Sequence, residues 1–209
     1  MRNEFYGDRK DLWKWAVVLD EARDRQVLYV AMYRPDRKPK LESGIRKDVV
    51  DFFYAERKDL NAEKECSRIK HLSSRIVPFL ERYEPKRMDA YLAPVKQALE
   101  SRAKPSSYAI FLDPDTGISE KSGPEHVCPH LLASVWKSML PGDTLLIYQH
   151  FAHRKVDLWL PEKTTLIAAG TAGSDVTYKL HSGVCFFVIN KKEPAVIDAG
   201  FFRVQTERS

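Results

Sequence analysis

Two carboxylates, Asp113 and Asp115, flank Pro114 at the end of the apolar run Tyr108-Ala109-Ile110-Phe111-Leu112, and Thr116-Gly117 follow them. In an open α/β sheet, ligands bind beyond the carboxyl ends of the strands, so acids placed there point at a substrate. Both are expected to face solvent across a tight turn whose exit Gly117 eases. One would hold a water while the other stabilises positive charge, the division of labour that breaks a glycosidic bond through an oxocarbenium-like state. The same five residues are also ordinary turn chemistry, in which Asp side chains bond nearby backbone amides.

A second constellation, Tyr148-Gln149-His150-Phe151-Ala152-His153-Arg154-Lys155, leaves the next strand beside the first. Tyr148 and Gln149 have the ring and amide that stack on and hydrogen-bond a base, and His150 can act as an acid or electrostatic partner. Arg154 and Lys155, with His153, suit phosphates, as does Arg34 in the basic loop that also holds Arg37, Lys38 and Lys40. The plain alternative is a solvated surface with backbone-satisfied histidines. His126-Val127-Cys128-Pro129-His130 offers imidazole and thiolate without a paired ligand motif, so no metal site is assigned. Magnesium on Asp113 and Asp115 is the metal alternative.

These residues need a scaffold, and hydrophobic periodicity outlines one. Leu12, Trp15, Ala16 and Leu19 mark one face of a helix over Asp11 to Arg23. Gln26 to Tyr33 reads as a buried strand, as do Tyr108 to Leu112 and Thr144 to Tyr148. Lys47 to Arg102 reads as helical, with the stripe Met88, Tyr91, Leu92, Val95 and Leu99 at its end. Its charge-rich part, about residues 45–86, is expected to be a helical insertion. A further helix is expected over Leu131 to Met139, and apolar runs at Thr165 to Ala169, Val184 to Ile189 and Ala195 to Val204 would complete the sheet. The pattern predicts one Rossmann-like α/β domain over residues 1–209, a three-layer sandwich whose sheet is mostly parallel with antiparallel C-terminal strands.

Composition bounds the function. With 44% apolar and 30% charged residues in 209, the chain is an ordinary globular sequence, and no apolar run approaches the roughly 20 residues of a membrane helix. Its first residues lack the apolar stretch of a signal peptide, so a cytoplasmic location is expected. Three dispersed cysteines argue for reduced thiols. The net charge of +5 favours a polyanion, DNA more than RNA, as partner. Oligomeric state is not encoded in any pattern here.

Asp113-Pro114 matches the first half of the Asp-Pro-Pro-Tyr motif, and a helix and then Leu145-Leu146-Ile147-Tyr148 follow at matching spacing. In this, and in Ser182-Gly183 through Val188-Ile189-Asn190, the second half resembles the Rossmann-like methyltransferases that modify the exocyclic amine of adenine, especially those of large-subunit ribosomal RNA. Asp11-Leu12-Trp13-Lys14-Trp15 resembles an Asp-x-x-Lys-aromatic element that adjoins the cofactor in that family. The chain is also similar to an uncharacterised bacterial group sharing Gly-Asp-x-x-Asp-Leu-x-Lys and Phe-Leu-Asp-Pro-Asp-x-Gly.

The resemblance implies S-adenosylmethionine, with Asp11 and Lys14 near it. Two departures pull the other way: Asp115-Thr116 replaces the base-stacking Pro-Tyr, and Tyr29 to Asp36 lacks the glycine turn that lets backbone approach a cofactor. The expectation is therefore a cofactor-independent, glycosylase-like enzyme that flips a nucleobase out and hydrolyses the base–sugar bond, in repair or anti-phage defence. A nucleic-acid adenine methyltransferase with a divergent cofactor loop, a magnesium-dependent nuclease, and an inactive nucleic-acid-binding module are the alternatives.

Overall fold

The computed structural model describes residues 9–32, 48–49, 52, 66–79, 84–102, 106–121, 123, 126–150, 155–181 and 183–193. Their elements, in chain order, are α1 (Arg9–Ala22), β1 (Gln26–Ala31), β2 (Ile76–Phe79), α2 (Met88–Glu100), β3 (Tyr108–Asp113), β4 (Gly117–Ile118), β5 (His126–Val127), α3 (Pro129–Ser138), β6 (Thr144–His150), α4 (Val156–Gly170), β7 (Thr177–His181) and β8 (Val184–Asn190).

Six strands form the main sheet in the order β2-β1-β3-β6-β8-β7, and β4 pairs with β5 beside it. The first four of these six are parallel, whereas β8 runs antiparallel to both β6 and β7. Side chains alternate across the pleat, which divides the core in two. Val27, Tyr29, Ala31, Phe111, Leu146 and Tyr148 pack toward α1. Leu28, Val30, Ile110, Leu112, Leu145 and Ile147 pack toward α2, α3 and α4. Both faces are covered, which is why β1, β3 and β6 are continuous apolar runs. The expected three-layer α/β fold with antiparallel C-terminal strands is what the chain adopts.

Three expectations need correction. Thr165 to Ala169 is the last part of α4, not a strand. A four- or five-residue apolar run looks the same in a strand and in a buried helix segment, and here it sits against α3: a Cβ on Gly170 would fall 2.6 Å from the Cβ of Leu132. Within the span read as helical, Ile76–Phe79 is a strand; its four residues contain Pro78, which the sheet tolerates because β2 is an edge. Finally, β7 was not foreseen. It too is an edge, and Thr177, Tyr178, Lys179 and Leu180 are all exposed, so it has no apolar signal. The run Ala195 to Val204 and most of the charge-rich segment lie outside the described residues.

Burial also decides the thiol chemistry of β8. Cys185 is fully buried, and desolvation pushes its thiol up to about 12, so it carries almost no thiolate near neutrality. Iodoacetamide at pH 8 is expected to leave Cys185 unmodified in the native protein and to alkylate it after denaturation, as read by peptide mass mapping.

Candidate active site

The site is assembled where α1 crosses the carboxyl ends of β3 and β6. On α1, Lys10 and Lys14 are one helical turn apart and so share a face, and Asp11 precedes Lys14 by three residues. The Lys14 ammonium reaches both oxygens of Asp113 at 3.0 and 3.1 Å and lies 3.0 Å from Asp11 Oδ1. It also lies 4.5 Å from the centre of the Tyr148 ring, over its face. Tyr29, projecting from β1, donates its hydroxyl to Asp113 Oδ2 at 3.1 Å.

Lys14, Tyr29 and Tyr148 are buried, as are the carboxylates, with Asp113 at 1% exposure and Asp11 at 0%. Burial by itself would depress the Lys14 ammonium. The Asp11 and Asp113 carboxylates outweigh it and hold Lys14 well above its ordinary value. Lys14 is therefore a permanent cation, unsuited to act as a base.

Asp113 accordingly does not face solvent, contrary to the expectation from its turn-like sequence. The last residue of a strand in a two-sided sheet points into one of the covered faces, and here α1 lies over it. With an ammonium on both oxygens it is neither a free water-activating base nor open to a metal ion. The cation's place is already filled.

The neighbouring turn is built around Gln149. Its Oε1 accepts from the Ile118 amide at 2.7 Å, and its Nε2 donates to the carbonyls of Thr116 at 3.1 Å and His150 at 2.7 Å. Gln149 is buried and spent on backbone, so the base-reading role expected of it is not met by this geometry. It holds the turn in shape. Gly117 makes room for it with φ of +112°, where a Cβ would lie 2.2 Å from Oε1 of Gln149.

The open rim is formed by other residues. Asp115, Thr116 and His150 are each half-buried. His150 ends β6, one residue on from Gln149, where a loop or helix was expected to have begun; the Lys10 ammonium lies 3.1 Å from its Nδ1 and 3.4 Å from its Nε2, and the Tyr148 hydroxyl lies 3.3 Å from Nδ1. The Thr116 hydroxyl sits 2.6 Å from Nδ1 of His126. Lys155 is exposed ahead of α4, and Arg34, His153 and Arg154 lie outside the described residues.

Sequence reasoning missed Tyr29, Lys10 and His126 as members of the site. Lys10 carried a signal, its four-residue spacing from Lys14. Tyr29 carried none, because a tyrosine in a buried strand reads as core. His126 was weighed only as a metal ligand, whereas its ring turns to Thr116.

Two motifs 99 residues apart thus meet in one ion pair, Lys14 with Asp113, below a sheet whose reversed β8 lies between the co-directional β6 and β7. No protein-family model and no curated protein matches the chain. Among solved structures it is similar to an O-methyltransferase family protein from Burkholderia thailandensis, with 14% identity and a TM-score of 0.39 over 86% of this chain and 56% of that one. The chain thus spans a little over half the length of that protein. No helix among the described residues is long and apolar enough to cross a membrane.

Proposed function

We propose that the chain is an S-adenosylmethionine-dependent methyltransferase acting on an exocyclic amine of a nucleobase in nucleic acid. The observation that carries this reading is the Lys14–Asp113 ion pair. It joins the two motifs on which the family resemblance rests, at the strand ends where the sheet presents ligands.

The donor set at these strand ends suits the cofactor. Asp11, Asp113 and Asp115 set three carboxylates against the ammonium groups of Lys10 and Lys14, a surplus of negative charge that favours a cationic sulfonium. When bound, the cofactor supplies an electrophilic methyl group. The protein's own part is positional. Lys14 and Tyr29 fix the Asp113 carboxylate, and so the start of the turn, in one orientation. Gln149 fixes the other end of the turn through Thr116 and Ile118. Between these anchors Asp115 is presented at the rim, where its carboxylate accepts a hydrogen from the target amine. His150 stands at the end of β6 against Lys10 and Tyr148. The net charge of +5 supports a nucleic-acid substrate.

Hydrolysis of the base–sugar bond loses support from the same geometry, because its two acids are not equivalent: one is clamped and buried, the other half-open.

Calorimetry with S-adenosylmethionine, followed by transfer of labelled methyl groups to DNA and RNA, tests the proposal. Saturable binding and transfer are expected, with Asp115→Ala lowering kcat by about 10²-fold, the scale of losing one aimed polar group, and weakening cofactor affinity by less than that. Absence of cofactor binding, together with alkali-labile abasic sites in DNA incubated with the protein, would reinstate the hydrolase.

A further inference from the structure

Thr116 is held by two arms. Its carbonyl accepts from the Gln149 amide at 3.1 Å, and its hydroxyl lies 2.6 Å from Nδ1 of His126. Backbone pairing brings the histidine there. Gly117 and His126 are opposite residues of the parallel β4–β5 ladder, and the His126 amide donates to the Gly123 carbonyl at 3.2 Å. Gly123 also leaves room for the ring, since a Cβ there would fall 3.0 Å from Cδ2 of His126. The ladder is itself anchored, because Ile118 and Val127, the next pair along it, are buried in the core under α2, α3 and α4.

Asp115 stands between fixed points. Before it, the Asp113 carboxylate is clamped by Lys14 and Tyr29, and the ring of Pro114 sets that residue's φ. After it comes Thr116. A bond to the Thr116 carbonyl alone fixes one point of the residue, whereas a second bond on the side chain fixes its rotation as well. A β-branched side chain is stiff at χ1, so restraint of the hydroxyl passes to the backbone. The hydroxyl can give a hydrogen to Nδ1 or receive one from it, and the restraint is the same in either sense.

We propose that His126 is a positioning residue for methyl transfer: through the Thr116 hydroxyl it fixes the direction in which Asp115 is presented at the rim. This role rests on reading the strand ends as a methyltransferase site. It adds the β4–β5 ladder as a support of the carboxylate that receives the amine hydrogen, independent of the Lys14 clamp on the other side.

Steady-state methyl transfer to nucleic acid, with cofactor affinity by calorimetry and a melting curve for every protein, tests the role. Thr116→Val keeps the shape and removes the hydroxyl. It should lower kcat roughly tenfold, the result of a reacting group losing its fixed direction, with KM for the nucleic acid and cofactor affinity changing by less than about threefold. His126→Phe should do the same. Thr116→Ser restores the hydroxyl, and His126→Asn puts an amide donor and acceptor near the place of Nδ1, so each should recover most of the loss. Because the two residues act as one unit, Thr116→Val/His126→Phe should be no slower than the slower single variant. Undiminished kcat in Thr116→Val, losses that multiply in the double variant, or losses that Thr116→Ser and His126→Asn fail to recover would each overturn the role. With a wild type that binds cofactor and transfers methyl groups, such a result strikes His126 alone. A wild type that does neither strikes the methyltransferase reading and this role with it. Should His126→Phe fail to fold, Thr116→Val decides, with Thr116→Ser as its control.

Discussion

Lys14→Met is expected to destabilise the protein by about 3–5 kcal/mol, the usual consequence of removing one partner from a buried ion pair. The methionine fills the space left by the alkyl stem, so packing changes little and the loss is electrostatic. Asp11 and Asp113 would be left buried and facing each other, with the Tyr29 hydroxyl as a donor to Asp113. Urea unfolding measures the difference, and adding Asp113→Asn to Lys14→Met should recover part of it by removing one orphaned charge.

The pH dependence has a fixed sign. Lys14 is held above its ordinary value of 10.5 in the folded protein. Its contribution is therefore fully present below the unfolded-state value and is lost as pH rises through the folded one. Toward alkali the deficit of the variant narrows only above 10.5. A deficit near zero at neutral pH would mean that the pair contributes nothing to folding.

Gly117→Ala is the second large effect, expected at about 2–4 kcal/mol from two sources, an L-residue forced to positive φ and displacement of a buried amide. The new Cβ would lie 2.2 Å from Gln149 Oε1, 2.3 Å from Cδ and 2.4 Å from Nε2, so Gln149 must leave. With it go the bonds to Ile118, Thr116 and His150. Truncating the side chain in Gly117→Ala/Gln149→Ala removes the collision but not the backbone strain. The double variant should then be less destabilised than the sum of the two singles, by denaturation of all four proteins. Strict additivity would show that the turn does not depend on this contact.

How far the sequence disclosed this protein follows from where each signal is generated. Strands buried on both faces announce themselves, and β1, β3, β6 and β8 were all visible as apolar runs. Edge strands have no such obligation, so Pro78 and the polar face of β7 concealed β2 and β7. At the site, types and location were legible: Asp113, Asp115, Tyr148, Gln149 and His150 do converge at adjacent strand ends, with Asp11 and Lys14 beside them. Roles were not. A carboxylate after an apolar run looks solvent-facing until the helix over it is placed, and a glutamine beside a tyrosine at a strand end looks like a base reader until its amide is found on the Thr116 carbonyl. Both depend on contacts distant in sequence, which local pattern does not record. The match of Asp113-Pro114 and Asp11/Lys14 to one family was the strongest clue available, because it alone linked two segments that the fold brings together.

The separation of Lys14 from Asp113 also fixes the order in which the centre can come into being during synthesis. At about 5–20 residues per second, roughly 5–20 s pass between the two residues leaving the ribosome. Throughout that interval the first segment must keep Asp11 and Lys14 hydrated, since the apolar face of Leu12, Trp15, Ala16 and Leu19 has β1, Ile69 and Ile76 available as partners but not Phe111 or Phe186. The nascent chain therefore waits with an amphipathic, partly docked helix, and the charged centre closes only when the third strand is delivered.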